Sequence, residues 1–121
     1  MRLSRQDTVS IIAMVLFAMM AMPARAQVRA GEIASASEGS EPWAYLRGLT
    51  DGIEWAMSRS RFDETASTPP FCAPPNLAIA TEQYRQILSE QIRLHPEQAQ
   101  QWAGLVMMDA LKRTFPCLGR P

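Results

Sequence analysis

Two cysteines and one histidine carry most of the reactive side-chain chemistry in this chain of 121 residues. Cys72 and Cys117 are an even pair, and an even number of thiols in an exported chain favours a disulfide. The bond would close a loop of about 45 residues, for which loop-closure entropy predicts a stabilisation of about 4 kcal/mol. Two free thiols, or a disulfide between two chains, remain the alternatives.

Residues suited to catalysis are few. His95 stands beside Pro96 at a predicted helix boundary, where a histidine is usually solvated, and the chain has no second histidine to act as a base. Asp51 and Glu54 are three residues apart and can share a helix face, but such a pair is usually a solvated edge. Neither zinc-ligand spacing nor a glycine-rich phosphate loop is present. We therefore predict no enzymatic activity, no catalytic residue, no metal site and no cofactor.

The first 26 residues have the pattern of a signal peptide. Arg2 and Arg5 precede an apolar stretch at 11–22, and a small-residue cleavage site follows it. Cleavage is predicted between Ala26 and Gln27, which makes the protein exported and periplasmic. The apolar stretch has 12 residues, whereas a membrane-spanning helix needs roughly 20. An uncleaved anchor and a buried core helix are the alternatives.

The charge of the mature chain argues against polyanionic partners. Removal of the signal takes away Arg2, Arg5, Arg25 and Asp7, so that basic residues fall from 12 to 9 and acidic residues from 12 to 11. A net charge near −2 does not suit nucleic acid or an anionic membrane surface, both of which need a basic face.

The mature chain begins with residues 27–41, which are small, polar and without periodicity, and we expect them to be flexible. A first helix is predicted from Pro42 to Arg59, because proline suits the first helical turn. Apolar residues recur along it at three- and four-residue steps, at Leu46, Leu49, Ile53 and Met57.

A line of small residues runs along a neighbouring face of the first predicted helix. Gly48, Gly52 and Ala56 are four residues apart, and each glycine costs about 1 kcal/mol relative to alanine in a helix. We expect another backbone to approach this line closely. The alternative is that one of the glycines is tolerated without such a contact.

The segment Ser60–Pro75 is predicted to be a loop, since it contains four prolines. It is longer than most connections in compact domains, and long loops are often functional. A mobile linker is the alternative. The candidate partner-binding residues at its start are Arg59, Arg61, Phe62, Asp63 and Glu64, and the exposed edge of the first helix is a second candidate surface.

Two further helices complete the predicted fold. The second runs from Glu82 to Leu94, with Thr81 as its N-cap, and the third opens at Pro96. The apolar stripe of the second helix comprises Tyr84, Ile87, Leu88 and Ile92, and that of the third comprises Ala99, Trp102, Ala103, Leu105, Val106, Ala110, Leu111 and Phe115. The prediction is an all-α domain at residues 42–121, a small bundle of three or more helices closed by one disulfide.

Five short motifs occur in an order that resembles a known family. They are Tyr45-x-x-Gly48-x-x-Asp51, Phe71-Cys72-x-Pro74, Thr81-x-Gln83, His95-Pro96-Glu97 and Ala110-Leu111-x-x-x-Phe115-Pro116-Cys117. In order and spacing they resemble the Rap/Tai-type immunity proteins, which neutralise peptidoglycan-amidase toxins delivered by type VI secretion. The resemblance extends from Trp43 to Cys117, nearly the whole mature domain.

The resemblance implies an all-helical periplasmic protein, often a homodimer, that occludes the cleft of a cognate amidase toxin. It assigns structural roles to Tyr45, Gly48, Asp51, Pro74, Pro96, Phe115 and Pro116. Many members carry a further cysteine just before the tyrosine, where this chain has Pro42 and Trp43.

The leading functional hypothesis is therefore an immunity-type binding protein. The alternative is a small periplasmic acid-stress chaperone of the HdeA type, or another small periplasmic binding protein, because such proteins are also exported, helical and closed by one disulfide.

Overall fold

The computed structural model describes residues 27–62 and 68–118, with side chains as far as Ser60 in the first range. Its elements are α1 (Ala30–Ala34), α2 (Glu41–Phe62), α3 (Thr81–Leu94), a 3-10 helix (Pro96–Gln100) and α4 (Ala103–Thr114). Within these two ranges there is no strand, and one isolated β-bridge joins Arg29 to Trp102. The prediction of an all-α bundle with one disulfide is confirmed. The predicted signal peptide, up to Ala26, lies outside the described residues.

The core lies where the apolar faces of all four α-helices meet. The predicted stripe of α2 faces it, since Leu46 and Met57 are buried and Leu49 and Ile53 pack against them. The largest fully buried side chains are Ile33, Leu46, Leu88, Met107, Leu111 and Val106. Helices α3 and α4 supply most of this set, so their hairpin is the centre of the domain.

The N-terminal segment differs from its predicted flexibility. Ala30–Ala34 is helical, and Ala30 and Ile33 are completely buried. Arg85 of α3 donates a hydrogen bond to the Ala34 carbonyl at 2.8 Å. Five residues are too few to show a helical period, so the sequence pattern could not reveal a helix that exists because α3 and α4 cover it.

The third predicted helix is interrupted. After the 3-10 helix the chain extends at Gln101, whose carbonyl accepts a hydrogen bond from the Ala30 amide at 2.9 Å. The Ala103 amide returns one to the Val28 carbonyl, also at 2.9 Å. These pairings satisfy backbone groups that a continuous helix would have paired internally. In α4 one predicted core residue, Leu105, is 61% exposed.

The helix starts agree with the predictions to within one or two residues. Ser40 precedes α2, its side-chain oxygen accepts the Trp43 amide at 3.4 Å, and Pro42 stands in the first turn. The predicted N-cap of α3, Thr81, is instead its first helical residue. Ala80 is the N-cap, and its amide donates to the Gln83 side chain at 2.8 Å. A glutamine at the third helical position therefore performs the capping.

The disulfide Cys72–Cys117 is formed, with the two Cα atoms 4.9 Å apart. The Cys72 amide donates to the Phe115 carbonyl at 2.9 Å, and the rings of Phe71 and Phe115 lie 6.4 Å apart. The bond thus fastens the segment that precedes α3 to the end of α4. Phe71 is buried and continues this contact into the core.

A buried polar group links the two hairpin helices. Gln91 of α3 is buried at the position where it interrupts the apolar stripe. Its carbonyl oxygen accepts from the Arg113 guanidinium at 2.8 Å, and its amide donates to Gln98 at 2.9 Å. Both ends of the amide are therefore satisfied, as burial requires.

Within residues 27–62 and 68–118, none of the helices combines the length and the apolar character needed to cross a membrane.

Candidate partner-binding site

The second half of α2 carries the most exposed tryptophan of the described residues. Trp55 is 78% exposed. It shares a shallow surface pocket with Asp51, Glu54 and Ser58. The surface formed by these four residues is called the Trp55 ridge. Because Asp51 and Glu54 line the same pocket, they share one helix face.

The acidic groups of the Trp55 ridge form no ion pair with the described residues. The ion pairs among these residues are Arg85–Glu82 and Arg93–Glu90, with a further contact between His95 and Glu97, so neither Asp51 nor Glu54 takes part in one. The partner of Glu54 is the Tyr84 hydroxyl, which donates to its carboxylate at 3.3 Å. Two carboxylates thus remain available beside an exposed indole ring.

Tyr84 connects the Trp55 ridge to the core. Its side chain is 2% exposed. Burial raises the pKa of the Tyr84 phenol to about 12, and the negative charge of Glu54 and the hydrogen bond to it add to the effect. The hydroxyl therefore remains a donor to Glu54 throughout the physiological pH range.

A half-open pocket of about 250 Å³ lies beside Glu54 and is called the Tyr84 pocket below. It shares Glu54 and Ser58 with the Trp55 ridge. Its other lining residues are Ile53, Met57, Phe71, Ala73, Leu77, Ala78, Ile79 and Tyr84. The pocket thus has apolar walls and a carboxylate, a phenol and a hydroxyl among its polar groups.

An apolar groove of about 490 Å³ runs along the same half of α2 and shares Ile53, Met57 and Phe71 with the Tyr84 pocket. Its floor includes Gly48, Gly52 and Ala56, and we call it the glycine groove; its walls include Leu49, Ile53, Pro69, Pro70, Phe71 and Met108. The predicted close approach of another backbone is absent within the described part of the chain. A Cβ atom built on Gly48 or Gly52 meets nothing within 4 Å.

A profile of the Rap1a immunity proteins matches residues 29–117. The chain belongs to the Rap1a immunity protein family. No curated protein and no solved structure matches it significantly. The matched range includes α1, whose residues Ala30 and Ile33 are buried. An immunity protein binds a cognate toxin, so family membership assigns this Rap1a protein to binding and directs attention to its exposed surfaces.

Part of the predicted partner-binding loop of this Rap1a protein is helical, and part of it lies outside the described residues. Arg59 is exposed on α2, one turn after Trp55, and the backbone of Arg61 and Phe62 closes the same helix. The predicted loop start at Ser60 was therefore wrong by about three residues. Asp63 and Glu64 lie outside the described residues.

The residues of the family motifs differ in exposure and in structural role. Gly48 and Asp51 lie on the exposed face of α2, whereas Tyr45 is half-buried against the core. Phe115 packs on Phe71 beside the disulfide. The remaining motif prolines serve the backbone: Pro96 opens the 3-10 helix, and Pro74 and Pro116 flank the two cysteines at exposed positions.

Sequence reasoning missed Trp55. The residue lies two positions after Ile53, off the apolar stripe of α2. A tryptophan off the apolar stripe of an amphipathic helix is a signal from which its exposure could have been predicted. His95, the single histidine, is exposed, with its Nδ1 3.5 Å from a Glu97 carboxylate oxygen. In the parts of the chain that the structure describes, no group of three or more potential metal ligands occurs.

Proposed function

We propose that this Rap1a protein is a periplasmic immunity protein that binds a type VI secretion peptidoglycan amidase and neutralises it by occluding the substrate cleft. In this proposal residues 1–26 are a signal peptide, cleaved between Ala26 and Gln27, and the helical domain acts in the periplasm. The protein is a non-catalytic inhibitor whose partner is the cognate toxin.

The exposure of Trp55 is the observation that carries the proposal. Tryptophan is among the residues that contribute most binding energy at protein interfaces, and it does so when a surrounding rim excludes water. Trp55 shares its pocket with Asp51, Glu54 and Ser58, which are polar residues of the kind that form such a rim. At 78% exposure the indole ring is open to a partner.

The position of the surface suits occlusion. Substrate clefts of enzymes are concave, so an inhibitor that fills one inserts exposed side chains. Trp55 is 78% exposed on α2, and the same helix continues into Arg59, the first of the predicted partner-binding residues. A helix fixes the ridge more rigidly than a loop, which reduces the entropy lost on binding.

The family resemblance also implies a homodimer, and we include this association in the proposal. Sedimentation equilibrium of the mature protein over a range of concentrations measures the association directly. A mass that stays at one chain at all concentrations contradicts this part and leaves toxin binding unaffected.

Co-expression tests the function. A candidate amidase, beginning with one encoded beside this chain, is directed to the periplasm with and without the Rap1a protein. We expect lysis with the amidase alone and survival with both, and the purified proteins should form a stable complex. If no periplasmic amidase of this class is bound or neutralised, the proposal is wrong.

A further inference from the structure

We infer that the Tyr84 pocket, with Glu54 at its junction with the Trp55 ridge, is a binding site for a long cationic side chain, Lys or Arg, of a protein partner. The proposed function enters only in naming the toxin as the protein that supplies this side chain.

The size of the pocket sets the class of occupant. At about 250 Å³ it is smaller than the roughly 300–1,000 Å³ typical of sites for small molecules and cofactors. A single long side chain matches it better. The apolar walls from Ile53, Met57 and Phe71 would cover an aliphatic stem, which lysine and arginine bury while their charged ends stay near polar groups.

The charge of the rim sets the sign of the occupant. Glu54 lines the pocket and Asp51 lies beside it on the Trp55 ridge, and neither has an ion-pair partner among the described residues. The Tyr84 hydroxyl donates one hydrogen bond to Glu54, and a carboxylate has acceptor capacity for several. An incoming ammonium or guanidinium group would fill that capacity, and hydrogen bonds between two charged groups are the stronger kind.

Trp55 strengthens the preference for a cation. It shares the ridge pocket with Glu54, Asp51 and Ser58, and a cation placed over an indole face is attracted to the ring. The domain already contains such a contact, since the Arg29 guanidinium lies 3.7 Å from the centroid of the Trp102 ring. The Trp102 ring is thus covered by a cation of the same chain, whereas no ammonium or guanidinium group of the described residues lies over the Trp55 ring.

The test is a titration of the folded, oxidised protein followed by ¹H–¹⁵N NMR. The probes are n-butylammonium and n-butylguanidinium chloride, with 1-butanol as a neutral probe of the same stem and with ionic strength held constant by sodium chloride. We expect saturable shifts at Glu54, Ser58 and Tyr84 with both cations and much weaker shifts with butanol. Glu54→Gln should lower the affinity for both cations about tenfold.

The matched control is Glu41→Gln, an exposed glutamate in the first turn of the same helix and outside the pocket; its affinity should equal that of the unsubstituted protein. An equal response to butanol, an affinity unchanged by Glu54→Gln, or the absence of saturable shifts overturns the inference. Shifts at the same residues that grow with protein concentration alone would assign the pocket to a second copy, and also overturn it.

The titration contains no toxin, so its outcome is separate from that of the proposed function. Cation binding without toxin neutralisation leaves the site standing and removes the proposed partner. Neutralisation without cation binding removes the site and leaves the immunity function.

Discussion

The Tyr84 hydroxyl donates a hydrogen bond to the Glu54 carboxylate at 3.3 Å, which joins the buried face of α3 to the exposed face of α2. One end of this contact is 2% exposed, and the other stands in the acidic surface around Trp55. The core therefore fixes the position of a surface carboxylate, and the Trp55 ridge is held to the bundle by more than helix packing.

Alkaline titration should report this contact. The pKa of Tyr84 is raised from 10 to about 12, first by burial and then by Glu54. A raised phenol pKa stabilises the fold fully below pH 10, and the contribution is lost as the pH rises from 10 to about 12, because the unfolded chain ionises first. We expect the free energy of unfolding to fall across this window in the unsubstituted protein and to fall less in Tyr84→Phe. Urea unfolding of both proteins at several pH values measures the difference, and parallel curves would contradict the assignment.

Truncation of Trp55 should weaken partner binding while leaving the fold unchanged. Trp55→Ala removes a largely exposed ring, so the melting temperature should change little, whereas the affinity for the cognate amidase should fall at least about tenfold. Calorimetric titration of the purified pair measures it. Leu105→Ala is the matched control, since Leu105 is also a large exposed apolar residue, 61% exposed, but lies on α4. Equal effects of the two variants would show that Trp55 is not specific to the interface.

Gly→Ala substitutions in the glycine groove should raise the stability of the free protein and weaken partner binding. A Cβ atom at Gly48 or Gly52 meets no atom within 4 Å. Each Gly→Ala change should therefore stabilise the free protein, by about 0.5–1 kcal/mol, because alanine is the better helix former. If a partner backbone approaches these glycines, the double variant should bind the amidase or a second copy more weakly. Higher stability with unchanged binding would show that the groove is not used.

The N-terminal helix should be required for full stability. Ile33→Ala removes a completely buried side chain from α1, and comparable truncations cost about 2–5 kcal/mol. Leu94→Ala, at a 45% exposed position, is the control and should cost much less. Urea unfolding gives both values. A flexible N-terminal segment would instead make the two variants equally harmless.

The disulfide should contribute a large part of the stability. The cysteines are 45 residues apart in sequence, for which loop-closure entropy predicts about 4 kcal/mol. The double variant Cys72→Ser, Cys117→Ser should melt well below the oxidised protein, and dithiothreitol should lower the melting temperature of the unsubstituted protein alone. An unchanged melting temperature in the reductant would contradict this contribution.

The sequence by itself determined the helical class, the disulfide and the position of three of the four α-helices. Leu46 and Met57 of α2 and Leu88 of α3 recur with the helical period, and that period requires one apolar face to be buried. The disulfide was predicted from the even number of cysteines in a chain expected to be exported. The helical period is a local pattern, and a local pattern is visible in the chain.

Only the tertiary structure decided the features that depend on residues distant in sequence. Ile33 is buried because α3 and α4 cover it, and the break at Gln101 exists because the amide of Ala30 pairs with its carbonyl. The binding surface has the same origin. Gly48, Trp55 and Glu54 are close along the helix, but packing sets whether a neighbouring element covers them. Within residues 27–62 and 68–118 their side of α2 is exposed, beside a pocket to which Tyr84 and Phe71 contribute from elsewhere in the chain.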